Sequence, residues 1–398
     1  MSAPELIPID EARSRVLAAV RPLPAEQVAL EAALGRVLAA PAVAGESLPP
    51  FDASAMDGFA VPDGQPATLR IAGESRAGAP ATAPLAPGTA CRISTGAVVP
   101  EGTHAVVPVE RTEERDGQVA VPETAGGANI RRAGEDVTAG ETVIDAGAEI
   151  GPAEVAVLAS LGVPDVTCAR RPRLAVLATG DELVEPGEPL GPGQIRNSNA
   201  YALTAQAARA GAEAVVRRHV PDTADATRER LAEALGAAEV VCVSGGVSVG
   251  PHDHVKPALA ELGVEERFWG VRLQPGKPTW FGTTGAGGLV FGLPGNPVSA
   301  MVTFHLFARP AVRALQGADP EPRRATARLG AALKRNPRRD QMVRVRLAPE
   351  ADGGWTAHPT KAQGSHVLTS MLGADALGRV PTGEGDIAAG ERIDIEFL

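Results

Sequence analysis

Three short apolar runs in this sequence each end in a loop whose residue types suit chemistry. Leu174 to Ala178 is followed by Thr179, Gly180, Asp181 and Glu182. A hydroxyl, free backbone amides and two carboxylates at one strand end suit an anion or a cation, and paired carboxylates need a metal or a proton partner. A Thr-Gly pair is equally an ordinary strand exit. The second run ends at Ser244, Gly245 and Gly246, with Asp253 and Lys256 following at a spacing that fits one helical face. Its SGGVSVG has the composition of a phosphate cradle but matches neither the Walker pattern nor GxGxxG, so nucleoside triphosphatase and Rossmann dehydrogenase readings lose motif support. The third run ends at Pro294, Gly295, Asn296 and Pro297, a rigid loop with inward amides, a cap for the helix opening at Val298, or both.

Other candidates lie outside these loops. Asp52 and Asp57 could converge on a divalent cation or orient a water, or simply form turns. The small neighbours Ser54, Ala55, Met56 and Gly58 favour cleared space for a ligand. Thr95 and Gly96 again place a hydroxyl and amides at a strand end. Lys277, Arg131 and Arg132 are natural cations for an anionic ligand, or solvated surface charges. His252 and His254 form an HxH pair, but with no third ligand nearby a zinc site is disfavoured.

The elements that must position these residues alternate. Helical stretches at Ser198 to Ala210 and Thr223 to Leu235 separate the apolar runs, which predicts a parallel, doubly wound α/β sheet with all three loops facing one crevice beyond the strand ends. Upstream, Ile9 to Val20 and Glu26 to Ala39 show helical spacing broken by Pro22 and Pro24. From Val61 to Gly140, short alternating segments between Gly and Pro turns predict a small all-β module. Gly151 to Leu161 reads as a helix with Pro152 at a favoured early position, and Arg170 to Arg173 as a hinge. After a linker at Gly317 to Pro322, alternation resumes in the manner of a β-barrel or roll.

At 398 residues the chain requires several domains. A formal charge of −10 with no long basic run argues against nucleic acid and membrane surfaces as partners. Cys91, Cys168 and Cys242 are odd in number and far apart, which disfavours a disulfide framework and predicts a reducing, cytoplasmic setting. The polar start and the lack of an apolar run of roughly 18 residues predict neither signal peptide nor membrane span.

The stretches PPFDASAMDGFAV, RISTGAVVP, NIRRAGEDV, LATGDELVEPGEPLGPGQIRNSNAYAL, SGGVSVGPHDHVK, QPGKP and GLPGNPVSA, with the tail SHVLTSM, together closely resemble the MoeA family of molybdopterin molybdenumtransferases, which includes the E domain of gephyrin. The resemblance implies a helical linker domain (1–50 and 140–169), an inserted β domain (51–139), a MogA-like α/β domain (170–317) and a C-terminal β-barrel-like domain (318–398). It implies a homodimer, adenylylated molybdopterin and molybdate as substrates, Mg2+ as the cation, and cleavage to AMP and molybdenum cofactor. A MogA-type adenylyltransferase and recipient molybdoenzymes are the implied partners.

By motif position, Asp57, Thr95, Arg131 and Asp136 would come from one subunit's β domain and hinge. Glu182, Asp222 and Asp253 from the other's α/β domain would hold metal and substrate and place the hydrolytic water. Thr179, Gly180, Ser244, Gly245, Gly246, Pro294, Asn296 and Pro297 would shape the substrate wall. Lys277, Ser299, Arg339 and Ser365 resemble the oxyanion site for molybdate. Two departures stand out: Gln274 occupies a position where many members carry lysine, so one charge contact is absent or replaced, and RRDQMVRV differs from the common loop around Arg339. The competing readings are a molybdopterin adenylyltransferase-like enzyme and a scaffold protein of the gephyrin type.

Overall fold

The computed structural model describes residues 6–246, 254–351, 353–360 and 362–398. The chain divides into two compact units, one of Met1–Glu26, Gly35–Ala39 and Thr167–Leu398, the other of Gln27–Leu34 and Ala40–Val166.

The first unit begins with helix α1 (Ile9–Ala18). Its sheet contains β1 (Arg173–Thr179), β2 (Glu213–Val220), β3 (Val240–Ser244), β4 (Val264–Trp269), β5 (Trp280–Thr284) and β6 (Leu289–Leu293), in the spatial order β2-β1-β3-β6-β5-β4. The first four in that order run parallel, as the alternation predicts, whereas β5 and β4 pair antiparallel at one edge. Helices α2 (Ser198–Arg209) and α3 (Ala224–Ala237) connect β1 to β2 and β2 to β3. Strand β1 shows why its run is apolar throughout: Leu174, Val176 and Ala178 join one core while Ala175 and Leu177 join another, so both faces are buried.

After β6 the chain enters α4 (Pro297–Thr303), a π-helical turn at Phe304–Ala308, and α5 (Arg309–Leu315). Pro310 has no N–H to give to the carbonyl four residues back, Leu306 O. Arg13 Nε donates to that carbonyl at 3.2 Å instead. The rest of the Arg13 guanidinium forms a forked pair with Glu396 at 2.9–3.1 Å, buried at both ends. His305 lies 3.9 Å from Glu396, and burial, aided by Arg309, Arg13 and Arg209, pulls its pKa down to about 4 against the attraction of Glu396.

The C-terminal part closes on itself. Strands β7 (Arg324–Leu329), β8 (Asp340–Pro349), β9 (Trp355–Pro359), β10 (Ala376–Val380) and β11 (Arg392–Phe397) pair in the ring β8-β9-β7-β11-β10-β8, a five-stranded barrel around Val343, Val345, Ala357, Ile393 and Ile395. The short strand Leu273–Gln274 pairs parallel to β8 from outside the ring.

In the second unit a six-stranded sheet runs in the order Ala105–Pro108, Gly58–Val61, Thr89–Ile93, Ala67–Ser75, Gln118–Val121 and Glu113–Arg115, confirming the all-β module. Pro152–Ser160 is helical as its pattern predicts. The segment Glu26 to Ala39 is not: Ala25–Ala29 is a strand and Leu30–Ala32 a single 3-10 turn. Its apolar spacing of two, four and four fits a helix only in part, and Gly35, at φ +71°, stops any helix within it.

Replacing Glu396 by Ala leaves the buried Arg13 charge uncompensated; we expect a loss of about 3–5 kcal/mol in unfolding free energy by chemical denaturation. A second expectation concerns pH. At the hinge, Glu239 accepts from Arg173 and Arg170; burial raises its pKa, but these bonds outweigh burial and hold it at about 2. A depressed carboxylate contributes stability that is complete above its unfolded pKa of 4.5 and disappears as the pH falls toward about 2. Glu239→Gln should therefore flatten the pH dependence of stability across that window and cost about 1–2 kcal/mol at neutral pH.

Candidate active site

The three loops after β1, β3 and β6 converge by backbone contact. Gly245 N donates to Leu293 O at 3.0 Å, and the Gly245 Cα faces Thr179 so closely that a Cβ there would lie 2.6 Å from Thr179 Oγ1 and 3.1 Å from Thr179 O. Gly245 and Gly246 also hold φ of +92° and +61°, where a side chain is strained. Thr179, Gly180, Ser244, Gly245, Gly246, Pro294 and Gly295 thus share one sheet end.

Asn199, on the first turn of α2, ties them together. Its Nδ2 donates to Ser244 Oγ at 2.8 Å and to Gly295 O at 2.7 Å, and Ser244 Oγ donates to Pro294 O at 3.3 Å. No property of an isolated asparagine signals this role; its only sequence cue is the RNSNAY stretch that carried the resemblance.

At the same end, Asp181 Oδ1 accepts from Asp222 N at 3.0 Å, and His219 Nε2 lies 2.7 Å from Gly180 O. Glu182 folds back over Gly180, where a Cβ would sit 2.3 Å from Glu182 Oε2 and where the φ of +140° favours glycine. Glu182 and Asp222 are exposed. No group of three or more His, Cys, Asp or Glu able to hold a metal occurs among the described residues. Asp253 and the His252 half of the HxH pair lie outside the described residues, as do residues 247–251 of the SGGVSVG stretch.

A cavity of about 280 Å³ opens beside the third loop. It is lined by Lys277, Arg339, Ser299, Ser365, Asn296 and Gln274, together with Pro294, Gln363, Gly364 and the rest of the 274–278 turn. The four residues assigned to an oxyanion by resemblance therefore share one wall. No carboxylate lines it among the described residues. Asn296 Nδ2 donates to Ser365 Oγ at 3.1 Å and Val298 N to Ser365 O at 3.1 Å, which joins the α4 entrance to the loop that carries Ser365. Pro297 opens α4, where its missing N–H costs nothing, so the PGNP loop both caps the helix and shapes this wall.

Behind the Ser365 loop lies Arg344, 1% exposed and with no carboxylate partner among the described residues. It donates to Ser370 Oγ, Ala362 O and Gly364 O at 3.2–3.3 Å, and burial brings its pKa down to about 10. Gln363 adds reciprocal bonds, accepting from Arg344 N and donating to Arg344 O, both at 3.1 Å. Neither residue was signalled by sequence, because an arginine inside a β-strand reads as an outward-facing charge.

The second unit gathers the remaining predicted residues on adjoining loops. Asp57 Oδ1 accepts from Thr95 N at 2.8 Å, Arg131 pairs with Ala53 across a short antiparallel ladder, and Asp136 N donates to Leu48 O at 3.0 Å. Asp57, Thr95, Arg131 and Asp136 are all exposed. Asp52 is engaged separately, accepting from Ala133 N at 2.9 Å and Arg132 Nη1 at 2.6 Å, contacts that hold its pKa low. Gly58 is small for the sheet rather than for a ligand: a Cβ would sit 2.0 Å from Val107 O.

The cysteines are buried and free, and burial raises each thiol pKa, which makes them inert fillers. No helix among the described residues is long and apolar enough to cross a membrane.

A largely parallel sheet with Gly-Ser-Pro loops at its strand ends, joined to a closed barrel that brings Arg339 beside Lys277 in a cavity with no carboxylate among its described lining residues, is a site whose chemistry suits an anionic ligand. Comparison with known proteins gives the chain its family. Residues 7–162 match the MoeA N-terminal region (domain I and II), residues 175–314 a probable molybdopterin binding domain, and residues 326–398 the MoeA C-terminal region (domain IV). A molybdopterin molybdenumtransferase of Haemophilus influenzae is 36% identical, the match covering 98% of both chains, and one of Nostoc is 38% identical over 92% of this chain and 87% of that one. The crystal structure of a molybdopterin biosynthesis MoeA protein from Pyrococcus horikosii superimposes with a TM-score of 0.84 at 30% identity, covering 99% of each chain. The chain belongs to the MoeA family of molybdopterin molybdenumtransferases, enzymes of molybdenum cofactor biosynthesis.

Gly245→Ala places a methyl group against the backbone of Thr179, and we expect it to lower stability by about 1–3 kcal/mol and to accelerate hydrogen exchange at Gly245 N. Gly236, in the last turn of α3 with open space around it, is the control: Gly236→Ala should be neutral or stabilise by up to about 0.5 kcal/mol.

Proposed function

We propose that this enzyme transfers molybdate to adenylylated molybdopterin, with divalent-cation-dependent cleavage of the pyrophosphate bond to AMP. The observation that carries this reading is the cavity lined by Lys277, Arg339, Ser299 and Ser365, with no carboxylate among its described lining residues. Two cations balance a dianion, and hydroxyl donors complete the coordination of tetrahedral oxygen atoms. Ser299, 3% exposed, sits at the base of the wall, and Ser365 is oriented by Asn296.

The pterin and its phosphates occupy the adjoining sheet end, shaped by the Thr179–Gly180, Ser244–Gly246 and Pro294–Pro297 loops, with the amides of Gly246, Gly295 and Asn296 as the candidate donors. Glu182 and Asp222, with Asp253, would hold Mg2+. Their all-oxygen chemistry fits a hard cation, and neither Glu182 nor Asp222 forms an ion pair among the described residues. When bound, the cation offsets the pyrophosphate charge. The same reading makes the protein a cytoplasmic homodimer that receives its nucleotide-activated substrate from a MogA-type adenylyltransferase and passes its product to recipient molybdoenzymes. Asp57, Thr95, Arg131 and Asp136 would contribute substrate contacts from the β module.

The test combines the purified chain, adenylylated molybdopterin and magnesium with and without molybdate, following AMP release and reconstitution of an apo-molybdoenzyme. AMP release should depend on molybdate. Lys277→Ala and Arg339→Ala should each raise the molybdate concentration for half-maximal rate about 10–100-fold, the loss of one charged hydrogen bond, and Glu182→Ala should abolish release at every molybdate concentration. AMP release that ignores molybdate, or none at all, would sink the reading.

A further inference from the structure

The loop that brings Arg339 to the cavity is anchored at its centre by Asn336, which uses every polar atom it has. Its N donates to Gln341 Oε1 at 3.0 Å and its O accepts from Gly383 N at 3.1 Å. Its Oδ1 accepts from Arg338 N at 2.8 Å and from Arg339 N at 3.1 Å. Its Nδ2 donates to Gln274 Oε1 at 2.5 Å.

These bonds fix the orientation of two amides. Backbone N–H groups are donors only, so the two amides of Arg338 and Arg339 require the oxygen of Asn336 to face them. Its NH2 must then face Gln274. An NH2 needs an acceptor, so Gln274 presents Oε1 to Asn336 and turns Nε2 the other way. The backbone of Gln274 is itself fixed, since Leu273 and Gln274 pair with Asp340 and Gln341 of β8. Gln274 lines the cavity, and among the described residues no group accepts from its Nε2.

We propose that Asn336 is a positioning residue for the oxyanion site, holding Gln274 so that its Nε2 enters the cavity as a neutral hydrogen-bond donor to the bound anion beside Lys277 and Arg339. The inference rests on the reading of the cavity as the molybdate site. Gln274 then sets specificity by geometry rather than charge. Lys277 and Arg339 match the two negative charges of the dianion, and the carboxamide adds a directional donor without a third cation.

The experiment is equilibrium dialysis of molybdate against the full chain, with thermal unfolding of each variant as a control. Gln274→Met removes the donor and should weaken binding about tenfold. Asn336→Asp keeps both acceptor bonds to Arg338 N and Arg339 N but cannot donate, so Gln274 must turn Nε2 toward the aspartate and its oxygen toward the anion. This variant should also lose about tenfold in affinity at unchanged Tm. In the double variant Gln274→Met/Asn336→Asp the aspartate should add nothing to the loss from Gln274→Met alone. Undiminished binding in Asn336→Asp, or a loss that persists in full in the Gln274→Met background and so reports only the new charge, would overturn the inference while leaving the cavity as the oxyanion site. Absence of molybdate binding by the unaltered chain, or binding that Lys277→Ala leaves unchanged, would instead overturn the reading of the cavity and the inference with it.

Discussion

The approach of Gly245 to Thr179 is the contact on which the sheet end depends. Parallel strands β1 and β3 lie side by side, and the chain leaving β3 must pass over the end of β1. Any side chain at Gly245 would occupy the space of the Thr179 hydroxyl and carbonyl. With glycine there, the backbone reaches Leu293 O, Ser244 turns its hydroxyl to Pro294 O, and Asn199 bridges to Gly295 O. A missing Cβ thereby joins three separate strand exits into one continuous surface.

Charge is managed differently in the two arginine-rich parts of the first unit. Arg13 is buried against Glu396, a pair whose carboxylate also meets Arg324 and His305, and it joins α1, the π-helical turn and the last barrel strand. Arg344 is buried still more completely, with carbonyls and one hydroxyl for company. Carbonyl oxygens stabilise the cation without neutralising it, so positive potential persists behind the loop of Gln363, Gly364 and Ser365. A cavity with no carboxylate among its described lining residues, next to a buried guanidinium paired only with neutral oxygens there, suits an anion, while burial makes Arg344 easier to deprotonate than a solvated arginine.

Much of the sheet was legible because burial on both faces forces continuous apolar runs, and β1, β3 and β6 are such runs. The helix at Ser198 and the β module were legible from period and punctuation. The segment Glu26 to Ala39 was misread because a short run of small and aliphatic residues satisfies helical spacing without specifying it, and because the positive φ of Gly35 appears only in the folded backbone. The antiparallel edge formed by β5 and β4 was equally hidden: direction in a sheet depends on the connections, not on the composition of a strand.

By itself the sequence determined the family, the order of its modules and the residue types at the sheet end, because those rest on local composition and on glycines and prolines whose backbone needs are intrinsic. Tertiary structure alone decided which polar groups meet. The Asn199 bridge spans 45 residues to Ser244 and 96 to Gly295, Arg344 faces inward from a strand, and the amide of Gln274 takes its orientation from Asn336, 62 residues away. Hydrogen-bond direction is a property of pairs, and pairing across such separations follows from how strands and loops are packed.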